Sequence, residues 1–261
     1  VIMLRFVKYF SLIFFLIFSS LANSAEKSEK LLTTDWTFKG PFGKFDRASL
    51  QRGYQVYQEV CASCHSLKYM SYRNLSEEGG PEFSIQEAKA IAANFEIPDG
   101  PNPDGEMFTR PGRLSDKFAM PYANEQEAKS ANGGAYPPDM SVLVKARKGG
   151  VDYIYSVLLG YEEPPQDIKL DDGVYYNKYM YGNKIKMPAP LSDGLVEYAD
   201  GTNPTEQQMA KDVVSFLMWT AEPHLEQRHK IGFRAIIYLI ILSILVYFSM
   251  KKIWSRIETE V

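Results

Sequence analysis

The sequence predicts a mainly α-helical fold, with a few helices joined by long ordered loops and one C-terminal helix that spans a membrane. Three observations lead there. The only two cysteines of the 261-residue chain stand in a single run, Cys61-Ala62-Ser63-Cys64-His65. Helical periodicity brackets a middle that is rich in Gly and Pro. Residues 231–250, IGFRAIIYLIILSILVYFSM, are apolar over the length a helix needs to cross a bilayer.

In chain order, residues 1–25 carry Arg5 and Lys8, then run apolar from Phe10 to Phe18 and finish in small residues. Those are the n-region, h-region and cleavage zone of a secretory signal peptide, with cleavage after Ala22 or after Ala25 both fitting. The apolar run is short for an uncleaved membrane helix. An exported domain is then expected over residues 26–227. It opens with an irregular polar arm, residues 26–48, containing Gly40-Pro41-Phe42-Gly43. From Ser49 to Val60 the spacing of Leu50, Gly53, Tyr54, Tyr57 and Val60 predicts a helix that delivers the chain into Cys61. A glycine inside a helix costs roughly 1 kcal/mol against alanine, so Gly53 is expected to have a close-packing reason.

Cys61, Cys64 and His65 form the Cys-x-x-Cys-His pattern of covalent haem attachment. Two thiols at that spacing can add across the vinyl groups of one haem, and the adjoining imidazole can ligate the iron. A zinc site lacks ligands, because no third cysteine exists and the chain has 3 histidines. A thiol redox pair needs a strand leading into a helix, and the residues before Cys61 do not read as a strand. One covalently bound haem c is therefore the expected cofactor, and the expected architecture is a c-type cytochrome domain. Export agrees with this, since c-type haem is attached outside the bacterial cytoplasm.

Further along, Glu82–Phe95 and Ser141–Leu159 are predicted helices. The stretches 99–116, 131–138, 161–172 and 182–203 are punctuated by Pro and Gly and are predicted as ordered loops wrapped on the cofactor, whose apolar faces supply missing core. Thr205 to Gln208, after Pro204, is a capping-box start. The helix from there to Ala221 lines up Met209, Val213, Phe216, Leu217 and Thr220, with Trp219 beside them. It is expected to cross the first helix at Gly53.

The face of the iron opposite His65 needs a second ligand or stays open. His224 and His229 lie at the mouth of the membrane span, far along the chain from residues 61–65. Methionine is then the candidate. Met187, in Lys186-Met187-Pro188-Ala189-Pro190, sits in a proline-stiffened segment suited to presenting a weak thioether. Met180 is its rival, while Met140 and Met209 read as packing.

The anchor is placed at residues 228–250, with Arg234 one turn inside it and Tyr238 and Tyr247 toward its two ends. Arg228 and Lys230 nearly balance Lys251, Lys252 and Arg256, so the signal peptide sets the orientation. The domain then lies on the periplasmic side of a bacterial inner membrane, and residues 251–261 form a cytoplasmic tail. Residues 26–227 hold 30 Asp and Glu against 21 Lys and Arg, a charge of −9. That sign excludes nucleic acid as a partner and fits equally a basic protein partner or an acidic domain that is merely soluble.

Many segments in order resemble the cytochrome c1 family. They are Arg52-Gly53-Tyr54-Gln55-Val56-Tyr57 into Cys61–His65, Tyr72-Arg73-Asn74-Leu75, Asp99-Gly100-Pro101-Asn102 and Arg110-Pro111-Gly112. The likeness continues through Asn132 to Ser141, Ala146 to Gly150, Met187-Pro188, and Ala210-Lys211-Asp212-Val213 to Pro223. It implies the haem subunit of a bc1 complex, which accepts electrons from a Rieske iron–sulfur protein and passes them to a soluble or tethered cytochrome c. Cytochrome b would be a further partner. The subunit would carry electrons within a ubiquinol:cytochrome c reductase without making or breaking a substrate bond itself. The resemblance also implies Met187 as the second iron ligand, Arg147 as the partner of a haem propionate, and Tyr153 with the Pro137-Pro138 pair as haem lining. A proline carbonyl would orient His65. Many bacterial members carry an extra cysteine pair that this chain lacks, and Met-Pro-Ala-Pro reorders the family's small and proline residues. A free-standing tethered cytochrome and a haem enzyme with an open iron position are the alternatives. The first should lack the long central insertions, and the second needs a further haem or a distal catalytic group.

Overall fold

The Asp46 side chain accepts from the backbone N–H groups of Ala48 (3.0 Å) and Ser49 (3.4 Å), which starts helix α1 (Arg47–Glu59). The computed structural model describes residues 29–166 and 168–257. The expected signal peptide, residues 1–25, lies outside the described residues, as do residues 258–261 of the expected tail. After α1 come α2 (Ile85–Ala93), β1 (Glu96–Asp99), β2 (Phe108–Pro111), α3 (Glu125–Ala131) and α4 (Gly150–Leu159). They are followed by β3 (Tyr175–Tyr176), β4 (Lys184–Ile185), α5 (Glu206–Ala221) and α6 (Leu225–Ile257). The fold is mainly helical, as the sequence predicts.

The centre of the domain is the crossing of α1 on α5, the most extensive contact between elements. Thr205 caps α5 by accepting from Gln208 N at 3.2 Å. A Cβ built on Gly53 would lie 2.1 Å from the Asp212 carbonyl oxygen and 2.8 Å from Phe216 Cβ, so only glycine lets the backbones meet. Beside that point the fully buried Asp212 carboxylate accepts from Ser49 Oγ (2.7 Å), Arg52 Nε (2.8 Å) and Gln208 Nε2 (3.0 Å). The crossing is therefore locked by a charge-assisted cluster as well as by shape. Around it, the Phe216 ring lies 5.7 Å from Tyr54 and 5.9 Å from Tyr57. Phe118 stacks on Tyr72 at 4.8 Å.

Several boundaries differ from the sequence reading. Helix α2 starts at Ile85 rather than Glu82, because Glu82 has φ +55° and Ser84 takes the N-cap, with its hydroxyl on Glu87 N. The stretch 99–116, expected as loop, includes strand β2, which pairs antiparallel with β1, Glu96 opposite Pro111. Arg110 pins that hairpin by binding both Asp99 and Asp116. Helix α3, which the sequence reading left out, is capped by Asn124 on Glu127 N at 3.0 Å. Residues 141–148 form turns, and α4 begins only at Gly150, because Gly149 holds φ +93°. Arg147 thus stands in a turn, not in the apolar helix expected for it.

The arm before α1 is irregular as expected, but it is not merely polar surface. Trp36, Phe38 and Phe45 are buried, and Trp36 Nε1 donates to Asp152 of α4 at 2.6 Å. Helix α6 is one continuous rod of 33 residues, longer than the 228–250 expected for the anchor. It is long and apolar enough to cross a membrane, and its apolar side chains from Ile231 to Trp254 are exposed. At 1.5 Å per residue it is about 50 Å long, against roughly 30 Å of bilayer hydrocarbon. Its first turn is tied to the domain through Glu226, which accepts from Phe45 N (2.9 Å) and from Arg47 Nη1 (2.7 Å).

Candidate cofactor site

Helix α1 ends into a 3-10 turn, Cys61–Ser63, in which Cys64 N and His65 N both bond to Cys61 O, at 3.1 and 2.8 Å. The turn puts both cysteines on one tight bend directly before His65. Both are free thiols and half-buried. Burial pushes the Cys61 thiol up to about 12, with the neighbouring Cys64 adding to the shift. A thiol–disulfide catalyst needs the opposite, a thiolate at neutral pH. Among the described residues no group of three or more His, Cys, Asp or Glu side chains could hold a metal ion.

His65 is buried, and its Nδ1 lies 2.8 Å from the Pro138 carbonyl oxygen. Only Nδ1–H can donate there, which leaves Nε2 with the lone pair that a metal ligand requires. Burial lowers the imidazole pKa below its ordinary value, against the Pro138 bond and Asp139, which raise it. The ring is then neutral at neutral pH, as ligation demands. On the chain side, Tyr57 OH donates to His65 O at 3.1 Å. Two thiols on one bend beside a neutral imidazole of fixed tautomer fit a covalently held haem.

The segment that supplies Pro138 is held by Asp139. Its Oδ2 accepts from Ser66 Oγ (2.9 Å) and Lys68 N (2.8 Å), its Oδ1 from Ser141 N (3.0 Å), and Met140 N donates to Ser66 O at 2.9 Å. Opposite in sequence, Met187 is half-buried against the core, and its carbonyl accepts from Tyr161 OH at 3.1 Å. Lys186 Nζ donates to Gly133 O at 2.8 Å, which ties the Met187 segment to the loop leading into Pro138. The rival sulfur is engaged, because Tyr153 OH lies 3.4 Å from Met180 Sδ. Met140 and Met209 are buried in the core. His229 faces away, its Nδ1 3.3 Å from Gly43 O beside α6. Arg147 is exposed, and its Nη1 donates to Ala146 O at 3.2 Å. Hydrogen bonds thus gather Pro138 onto His65 and tie the Met187 segment to the Gly133 loop, but they do not draw Arg147 in. A cleft of about 100 Å³ adjoins Cys64, lined by Met120, Tyr122, Tyr136 and Pro137 among others.

A family model described as the Cytochrome C1 family matches residues 36–257, nearly all of the described chain. The chain belongs to the cytochrome c1 family. It is 50% identical over 253 residues to "Cytochrome b/c1" of Bradyrhizobium diazoefficiens, covering 90% of this chain but 37% of that protein. It is 47% identical over 245 residues to "Cytochrome c1 1, heme protein, mitochondrial" of Arabidopsis thaliana, covering 93% of this chain and 79% of that one. To "Cytochrome c1" of Rhodospirillum rubrum it is 42% identical over 253 residues, covering 91% and 92%.

Within this cytochrome c1 chain, Asp139, Tyr57 and Tyr122 stand at the site without the sequence having marked them as site residues. Asp139 was the most accessible of them, since Asp before Met-Ser, bonding two residues on, is an Asx-turn signature. Burial alone would raise the Asp139 carboxyl, but donation from Lys68 N, Ser141 and Ser66 outweighs it and holds the group below its ordinary value. A depressed carboxyl stabilises the fold above its unfolded pKa, and that contribution is lost as pH falls through the folded value. Asp139→Asn is therefore expected to lower stability at neutral pH by about 1 kcal/mol, partial exposure screening the rest. The gap from the parent chain should close below about pH 4. Urea unfolding of both chains at neutral and acid pH checks this, and a gap that widens toward acid pH overturns it.

Proposed function

We propose that this chain is the membrane-anchored, electron-carrying haem subunit of a bc1-type ubiquinol:cytochrome c reductase. The observation that carries the reading is the His65 ring, whose Nδ1 is committed to Pro138 O so that Nε2 is presented as a ligand. Bound at this site, a haem c supplies a one-electron ferric/ferrous couple. Cys61 and Cys64 would hold it through thioether bonds, and His65 and Met187 would bind its iron. Thioether and imidazole ligation together would favour the reduced state and leave no iron position for outside ligands, as a carrier requires. Met187 is favoured over Met180 because the Met180 sulfur accepts the Tyr153 hydroxyl. Tyr153 and Pro138 would line the haem, and the exposed Arg147 guanidinium would pair with a propionate.

In this reading one electron arrives from a Rieske iron–sulfur protein and one leaves to a cytochrome c, with no substrate bond changed on the subunit. The acidic charge of residues 26–227 would steer a basic acceptor and favour speed of encounter. Cytochrome b is the expected neighbour in the bilayer, supported by the joint name of the Bradyrhizobium relative. Residues 1–25 would direct export, 26–227 would form the periplasmic domain, 228–250 the anchor, and 251–261 a cytoplasmic tail of a bacterial inner-membrane protein. The test is haem reduction in native membranes after quinol addition, with and without an inhibitor of quinol oxidation. Fast reduction abolished by the inhibitor is expected. Reduction by dithionite but not by quinol would leave a tethered cytochrome with another donor and overturn the assignment.

A further inference from the structure

The arm between residues 36 and 45 buries three of its four aromatic rings, Trp36, Phe38 and Phe45 at 4–6% exposure. The fourth, Phe42, is 72% exposed at the tip of a turn. The turn is tightly built. Gly43 N closes it on Gly40 O at 3.2 Å, Gly40 holds φ +88°, and Pro41 presets the second position. A Cβ on Gly43 would lie 2.3 Å from the Phe38 carbonyl group, so the turn is built for glycine at that position. The closed turn therefore holds the ring out from the domain core.

Its neighbour indicates which partner. The Phe42 ring lies 5.7 Å from that of Phe233, edge to face, and Phe233 is itself 51% exposed. Phe233 is the third residue of the apolar stretch that starts at Ile231, so Phe42 shares the layer at its upper edge. Three contacts fix the turn at that height, namely His229 Nδ1 to Gly43 O (3.3 Å), Phe45 N to Glu226 (2.9 Å), and Arg47 to Glu226 (2.7 Å). Lys44, two residues after Phe42, is exposed, while exposed Lys39, Arg228 and Lys230 pair with Asp152, Glu222 and Glu78.

We propose that the Gly40–Gly43 turn is a second membrane contact, with Phe42 inserted into the lipid at the headgroup–acyl boundary beside α6. This rests on the reading of α6 as a membrane span. The turn fixes the height and rotation of the domain over the bilayer, which a single helix leaves free.

The test replaces Phe42 with the photo-crosslinker benzoyl-phenylalanine in the full chain, irradiates native membranes, and reads adduct masses. Leu239, in mid-span, is the lipid reference, and Tyr181, 85% exposed on the domain, is the aqueous one. Phospholipid adducts at 42 and 239 and none at 181 are expected. An adduct at 239 with none at 42, or with a polypeptide cross-link at 42, overturns the proposal while sparing the span. Loss of lipid adducts at both 42 and 239 overturns the span and the proposal together.

Discussion

Gly53→Ala is expected to destabilise the chain by about 3 kcal/mol or more, the upper end of what overpacking costs. Helix propensity argues the other way, since alanine improves on glycine by roughly 1 kcal/mol inside a helix. Distance decides between them. The new methyl would stand 2.1 Å from the Asp212 carbonyl oxygen and 2.7 Å from its carbon, both backbone atoms of the partner helix. A flexible side chain could swing away, but here α1 and α5 must separate as rods. Separation would also pull Arg52 and Ser49 off the buried Asp212 carboxylate. Because α1 runs directly into Cys61, haem attachment should fall with stability. Thermal unfolding by circular dichroism, with haem staining of the same preparations, checks this. A midpoint equal to or above the parent's would show that propensity outweighs the crossing.

Met187→Leu is expected to lower the haem midpoint potential by a few tenths of a volt, within the roughly 0.8 V over which axial ligands act. Leucine keeps the volume and apolarity that pack the half-buried Met187 against the core, and removes only the sulfur. The fold should therefore survive, and quinol-driven turnover should fall with the potential. Met180→Leu is the matched comparison. Its sulfur already accepts the Tyr153 hydroxyl at 3.4 Å, so its loss should leave the potential near the parent's. Redox titration of membranes carrying each variant reads the difference. A drop in Met180→Leu with no change in Met187→Leu would reverse the ligand assignment.

The elements read correctly from the sequence are those whose signals are short-range. Helices α1 and α5 announce themselves by periodicity, and α5 also by a capping residue that the structure places where expected, Thr205 on Gln208 N. The apolar run of α6 needs no partner in the chain to be recognised. Helix α4 was overextended because Ser141–Leu159 looks helical by composition, whereas Gly149 at φ +93° breaks it. That conformation is optional for glycine, so sequence alone could not reveal it. The β1–β2 hairpin was hidden because its register depends on Arg110 binding Asp99 and Asp116.

What the sequence by itself determined is the apolar C-terminal helix and the two helices that frame the domain, and it adds the expectation of a haem at Cys61, Cys64 and His65. Each is encoded within one or two dozen residues. What only the tertiary structure decided is which groups meet across the chain. The carbonyl that sets the His65 tautomer lies 73 residues away, and the lysine bond that docks the Met187 loop spans 53. The glycine crossing joins α1 to α5 over most of the domain. Such pairings depend on how the whole chain closes on itself, and no local pattern of residue types specifies them.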